Sequence, residues 1–225
     1  MAPNPLDDSI HVFVIERPSD AMIAEAVNIF VATFANDPPA RMFTGADPAR
    51  LHALGAAVLA PPCGAHMIVA ADSAGALVAA SFWTPPGRPN VAEAAVRERR
   101  LEEYIAELPE GVRAETRIFW NTQLPKFLDG ATELENAEER CYVCEVAMVR
   151  PDHQGHGIGR AMFDLAEHKA EAMGATMLLW TGNQLNVARS KKLDWVLRGS
   201  ADVPSADAGL AWTVHVLTKD SPSKA

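Results

Sequence analysis

The stretch from Cys141 to Thr181 constrains the fold more than any other part of the chain. It begins with CYVCEVAMV, Cys141 to Val149, an apolar run rich in β-branched residues that stops at Pro151; this composition predicts a strand. The loop Gln154-Gly155-His156-Gly157-Ile158-Gly159 follows. Next, Ile158, Ala161, Met162, Leu165, Ala166, Lys169 and Met173 recur at the 3–4 spacing of one helix face, with Asp164, Glu167 and Glu171 turned away. Gly174 ends the helix and TMLLWT, Thr176 to Thr181, predicts a buried strand. Strand, loop, helix and strand in this order make a parallel crossover.

The loop itself suggests a ligand. Glycines allow a tight turn and leave backbone N–H groups uncovered. The helix that starts there adds unpaired N–H groups and a partial positive charge, so the joint suits a phosphate or pyrophosphate. Taken in isolation, a G-x-G is only a tight turn; its place between strand and helix makes a nucleotide-bearing ligand the first hypothesis. Gly155, Gly157 and Gly159 lack the dinucleotide spacing G-x-G-x-x-G, and Arg160-Ala161 is not the Lys-Ser/Thr of a P-loop.

What stands there is Gln-x-x-Gly-x-Gly preceded by Val-x-Pro. Val149 to Gly159 resembles the acetyl-CoA-binding motif of the GCN5-related N-acetyltransferase (GNAT) superfamily. Downstream, Asn186-Val187-Ala188-Arg189-Ser190-Lys191-Lys192-Leu193-Asp194-Trp195 resembles that family's second motif, in which an Asn opens a short helix ending in a Lys-Leu-Gly-Phe-like step. The resemblance is specific over Cys141–Trp195. Upstream it is looser: Phe34-Ala35-Asn36-Asp37-Pro38 and Phe82-Trp83-Thr84-Pro85-Pro86-Gly87 look like puromycin-acetyltransferase-like and fungal-type members.

The resemblance implies acetyl-CoA as co-substrate, with no metal. It implies that the backbone amides of Gln154, Gly155, His156, Gly157, Ile158 and Gly159 hold the pyrophosphate, with Arg160 adding charge. Ala147, Met148 and Val149 would offer main-chain groups to the pantetheine and thioester, and Asn186 would meet the pantetheine arm; a helix N-cap is the other reading of Asn186. The family's general acid is often a Tyr in the helix after the Asn. Ser190 stands there, a far weaker acid, and Asp194 and Trp195 replace the Gly and Phe of the closing step. Glu145, four residues before Val149 on the central strand, is the candidate base. A carboxylate on a buried strand is paired, hydrated or functional, so a structural ion pair or hydrogen bond is its alternative role. Phe119, Trp120 and Trp83 are either walls of an acceptor pocket or core.

Composition narrows the remaining classes. The 225 residues suit one domain, 1–225 with a core of about 10–218 and mobile ends, Met1 to Asp8 and Asp220 to Ala225. The net charge of −9 and the lack of a basic stripe argue against nucleic acid as a partner. Neither a basic-then-apolar leader nor a run of membrane length appears, so a cytoplasmic protein with no membrane partner is expected. Three cysteines build no disulfide framework, and Cys141 and Cys144 point to opposite faces of one strand, which suits structural thiols better than zinc. His153 and His156 are read as solvated loop residues.

Along the rest of the chain, His11–Ile15 predicts a strand. Pro18-Ser19-Asp20 starts a helix that carries Ile23, Ala26, Val27, Phe30, Val31 and Phe34 on one stripe and is ended by Pro38-Pro39. A second helix follows Asp47-Pro48 and runs to Ala60. His66–Ala71 and Ala76–Trp83 form a hairpin about Asp72-Ser73-Ala74-Gly75. Val91–Leu108 is helical, and Gly111–Asn136 is a helix interrupted near Pro125. Trp195–Ser200 and Leu210–Leu217 are the last strands. The expected class is α/β (mixed α+β), a GNAT-like fold: a central mixed sheet of six to seven strands, about four helices on both faces, and strands splayed at the acyl-CoA site.

The leading function is acetyl-CoA-dependent transfer of an acetyl group to a primary amine of a small molecule, by direct attack in a ternary complex. The alternatives are a non-catalytic acyl-CoA-binding module, which Ser190 and Asp194 favour, and an acetyltransferase acting on a protein or peptide amine. Hydroxyl acceptors stay open, as do monomer and homodimer.

Overall fold

Ser19 begins the first helix as its sequence requires: the hydroxyl accepts the Met22 N–H at 3.3 Å from an extended backbone. The computed structural model describes residues 9–59, 66–87 and 91–220. The ends expected to be mobile, apart from Asp220, and the end expected at Ala60 lie outside them. In chain order the elements are β1 His11–Ile15, α1 Asp20–Phe34, α2 Pro38–Thr44, α3 Leu51–Val58, β2 His66–Ala71, β3 Leu77–Thr84, α4 Val91–Ala106, α5 Glu110–Ile118, α6 Leu124–Thr132, α7 Ala137–Arg140, β4 Tyr142–Val149, α8 Ile158–Met173, β5 Met177–Thr181, α9 Gln184–Lys191, β6 Val196–Val203 and β7 Trp212–Lys219.

The strands form one seven-stranded sheet in the order β1-β2-β3-β4-β5-β7-β6. All neighbours are antiparallel except β4 and β5, the pair joined across α8. Helices cover both faces. On one, α1, α2, α3, α5 and α6 close a core around Phe30, Phe43, Leu54, Phe82, Phe119 and Leu128. On the other, α8 lies over β1 to β4, with Ile158, Met162, Ala166 and Ala170 against Ile68, Trp83, Tyr142 and Leu179. Burying each large apolar side chain contributes about 1.5–3 kcal/mol. Cys141 and Cys144 fall in opposite cores, as alternation predicts, and both are free thiols.

Several expectations need correcting. Pro38-Pro39 opens α2 instead of only stopping α1, because proline's fixed φ suits a first helical turn. The break in the 111–136 region is a π-helical turn, Phe119–Gln123, and Pro125 follows it at the start of α6. There are more helices than four, because several are short. On α8 the buried stripe steps by four and includes Ala170, leaving Met173 39 % exposed. Glu167 does not face away: it is part-buried against Lys219 Nζ at 2.6 Å. The last strands lie further along than expected, at 196–203 and 212–219. No helix among the described residues is long and apolar enough to cross a membrane.

Candidate active site

The parallel strands β4 and β5 stay paired only at Tyr142–Met177, Val143–Leu178 and Cys144–Leu179. Beyond Cys144, β4 continues to Val149 beside β3 alone. The divergence begins at a bulge: Phe82 pairs with Val146 and Trp83 with Cys144, so Glu145 is the extra residue. A bulge bends the strand and re-aims its side chains. Arg150 N–H donates to Val78 O at 2.9 Å, so the peptide groups of Ala147 and Val149, which alternate with it, face the opened edge. The Val149 carbonyl accepts from Thr33 Oγ1 at 3.3 Å and Gln154 Nε2 at 3.1 Å, which ties α1 and the glycine loop to this edge.

The loop after β4 makes a 3₁₀ turn, Pro151–His153, and then runs into α8. Gly155 and Gly157 hold φ of 85° and 80°, left-handed values that glycine alone adopts freely, and Gly157 stands at the N-cap of α8 with no capping side chain. At Gly159 an added Cβ would meet only Val149 Cγ2, at 3.8 Å. The loop therefore offers bare N–H groups and a helix start, the arrangement that suits a pyrophosphate.

The opened edge, the loop and the helices above form a cavity of about 690 Å³. Ala147, Met148, Val149, Gln154, Gly155, Gly157, Ile158, Gly159, Arg160, Asn186, Glu145 and Ser190 all line it; His156 is exposed and lies outside the lining. The charges on the walls are segregated. Arg160, Arg189 and Lys192 lie on the loop and α9 side, and Asp37 and Glu145 are its two carboxylates among the described residues.

Glu145 Oε1 accepts a hydrogen bond from Thr84 Oγ1 at 2.8 Å. Asp37 sits at the N-cap of α2, where burial pushes its carboxyl up to about 6; the Ala40 N–H pulls the other way without forming a cap hydrogen bond. The Asn expected to open the second helix is one turn off. Asn183 caps α9 by accepting Leu185 N–H at 2.9 Å, and Asn186 lies within the first turn, its amide donating to Thr181 Oγ1 at 3.3 Å. Ser190 is buried at 7 % exposure, and its carbonyl accepts from Leu193 and Trp195 N–H groups.

Neither tyrosine of the chain lines the cavity. Tyr104 donates to Phe43 O at 2.8 Å and Tyr142 pairs with His66 Nδ1 at 2.8 Å, and burial pushes both phenols above their ordinary range. Of the candidate aromatic walls, Trp83 belongs to the opposite core, stacked on Tyr142 and bonded to Ser81 Oγ at 2.9 Å. Phe119 is core at 1 % exposure; Trp120 does line the cavity.

Residues 117–193 match the model of the acetyltransferase (GNAT) family, a span that runs from the end of α5 through the bulge, the opened edge and the glycine loop to the end of α9. That segment of the chain is similar to the acetyltransferase (GNAT) family. No curated protein sequence matches the chain. Many solved structures share its fold, among them these three. Arylalkylamine N-acetyltransferase 2 from Aedes aegypti aligns with TM-score 0.60 and 12 % identity over 95 % of this chain and 99 % of its own. The "histone acetyltransferase HPA2 and related acetyltransferase" of Corynebacterium glutamicum aligns with TM-score 0.57 and 18 % identity over 91 % and 94 %. The polyamine N-acetyltransferase of Drosophila melanogaster aligns with TM-score 0.55 and 14 % identity over 93 % and 100 %.

In this GNAT-like fold two features escaped the sequence reading. Asp37 was visible only as part of a Phe-Ala-Asn-Asp-Pro string; its Asp-Pro step, a cap followed by a first-turn proline, is the signal that could have placed it at a helix start. Of the aromatic wall of Phe30, Phe34, Phe43, Trp120 and Trp180 only Trp120 was a candidate from sequence; the wall is assembled from four separate elements, and no spacing in the sequence announces the other four rings.

Proposed function

We propose that this protein transfers the acetyl group of acetyl-CoA to a primary amine of a small molecule by direct attack in a ternary complex. The observation that carries this is one continuous cavity joining the bare-amide loop to the two carboxylates past an unpaired strand edge. The family's co-substrate accounts for the loop end. The backbone amides of Gln154–Gly159 hold its pyrophosphate, Arg160 adds charge, and Asn186 meets the pantetheine arm. Ala147 and Val149 present edge N–H groups to the thioester oxygen as it gains charge.

At the other end the ammonium is drawn to Glu145 and Asp37. Glu145, re-aimed by the bulge and held by Thr84, takes the proton from the nitrogen. The nitrogen lone pair then attacks the thioester carbon, a C–N bond forms, the C–S bond breaks, the thiolate leaves, and the nitrogen sheds its second proton to water. Ser190 is a poor acid and both tyrosines are engaged elsewhere, so the thiolate takes its proton from water. Asp37 docks the incoming cation once ionised. Names of neighbouring folds that act on amines, an arylalkylamine, a polyamine and agmatine, support an amine acceptor. The upstream resemblance to puromycin-acetyltransferase-like and fungal members, on Phe34–Pro38 and Phe82–Gly87, points the same way.

The test is release of free thiol from acetyl-CoA with a panel of primary amines, alongside mass spectrometry of a peptide digest. Thiol release with small amines and no peptide acetylation supports the proposal. Binding of acetyl-CoA with no turnover supports instead the non-catalytic module that Ser190 suggests.

A further inference from the structure

Aromatic rings line the cavity. Phe30 and Phe34 of α1 lie with centroids 4.6 Å apart. Phe43 of α2 meets Trp120 at 5.3 Å, and Trp120 meets Trp180 of β5 at 5.7 Å, tilted by 74°. All five line the cavity. Trp120 is carried there by the π-helical turn Phe119–Gln123. Such turns make up well under 1 % of residues and concentrate at functional sites, so its place on this wall is an independent sign of use. The Trp120 indole N–H is buried with no hydrogen-bond partner among the described residues.

Among the described residues the carboxylates of the lining are Asp37 and Glu145, while its arginines and lysine lie at the start of α8 and on or just after α9. In the reading above both carboxylates serve the reacting nitrogen, Glu145 as its base and Asp37 as its dock, so a second ammonium placed further along would meet phenyl and indole faces with no carboxylate among the described residues to replace its water. Resting on the amine-acetyltransferase reading above, we infer that the acceptor is a monoamine whose nitrogen sits on a short chain bearing an aromatic ring, with Phe34, Phe43, Trp120 and Trp180 holding the ring. Linear diamines and lysine side chains of peptides lack the group this wall recognises. Rings packed in offset or edge-on geometry against a site ring gain attraction beyond the area they bury.

The experiment measures kcat/KM by thiol release for 2-phenylethylamine, hexylamine, 1,4-diaminobutane and a lysine-containing peptide. The expected order places 2-phenylethylamine about tenfold or more above hexylamine and about a hundredfold or more above the diamine and the peptide. Trp120→Leu and, on a different helix, Phe34→Leu should each lower kcat/KM for 2-phenylethylamine by about tenfold, chiefly through KM, and so narrow its lead over hexylamine. The acetyl-CoA-induced rise in melting temperature confirms that each variant is folded. A diamine or peptide turned over as well as the ring amine overturns the substrate class and leaves acetyl transfer standing. So does a ring amine no better than hexylamine, or a lead that both variants keep. No thiol release with any amine overturns acetyl transfer itself, and this inference with it.

Discussion

Thr84 on β3 donates its hydroxyl hydrogen to Glu145 on β4 at 2.8 Å, across the point where the two strands lose register. The bulge at Glu145 and the parting of β4 from β5 occur together, so the hydrogen bond holds a carboxylate at the mouth of the opening. Replacing Glu145 by Gln keeps shape and much of the hydrogen bonding but removes the proton acceptor. The expected result is a fall in kcat of about 10²–10⁴ with acetyl-CoA binding retained. Steady-state kinetics beside a thermal-shift titration checks it; a lowered melting temperature with normal turnover per folded molecule would mark Glu145 as structural.

Asp37 predicts a pH dependence. Burial raises its carboxyl to about 6, so it ionises as pH rises through that value. If the ionised form docks the ammonium, kcat/KM climbs with pH around 6. Asp37→Asn should flatten that limb and raise KM about tenfold, with kcat changed far less. An unaltered limb in the variant excludes the docking role.

The same group predicts a stability effect of opposite sense. Its folded value lies above the ordinary 3.8, so the folded chain holds this proton more tightly than the unfolded chain does. Asp37 therefore costs stability increasingly as pH rises from about 4 to 6, and the cost persists above. Asp37→Asn should melt higher than wild type at pH 8, with the difference vanishing at pH 3. Melting curves across this range decide it, and an equal offset at both ends would contradict the burial argument.

Gly159→Phe should abolish the stabilisation by acetyl-CoA. A Cβ there finds only Val149 Cγ2 at 3.8 Å, so Gly159→Ala is tolerated, while a ring fills the space over the loop amides. At a hundredfold excess over Kd the ligand stabilises the wild type by about 2.7 kcal/mol. A thermal shift that survives in Gly159→Phe would move the pyrophosphate elsewhere.

Gly182 tests packing where β5 ends. A Cβ there would lie 2.5 Å from Pro39 Cδ and 2.6 Å from Trp212 Cε3. A proline ring and an indole inside a core cannot swing aside, so Gly182→Ala should lose about 1–3 kcal/mol in denaturant unfolding. No loss would mean that α2 shifts freely against β5 and β7.

Local chemistry could be read from the chain directly. Ser19 as a cap, the Asp72–Gly75 hairpin, the strand into Pro151, the glycine loop and the Gly174 stop each depend on neighbours in sequence, and each stands where the sequence predicts. The crossover through α8 made β4 and β5 parallel, and the seven-stranded mixed sheet followed from the same pattern. Other features depend on contacts between distant segments. The bulge at Glu145 arises from its register with Phe82 and Trp83, some sixty positions earlier. The order of the last two strands, with β7 beside β5, is a choice of sheet edge that alternation does not record. Trp83 and Trp120 look alike in composition, yet one is sealed in the core under α8 and the other lines the cavity. Asp37 has an ordinary sequence setting, and only the packing of α1 and α2 against the opened sheet removes enough water to raise its pKa. Backbone conformation answers mainly to adjacent residues, whereas desolvation and register are set by what the rest of the chain brings alongside.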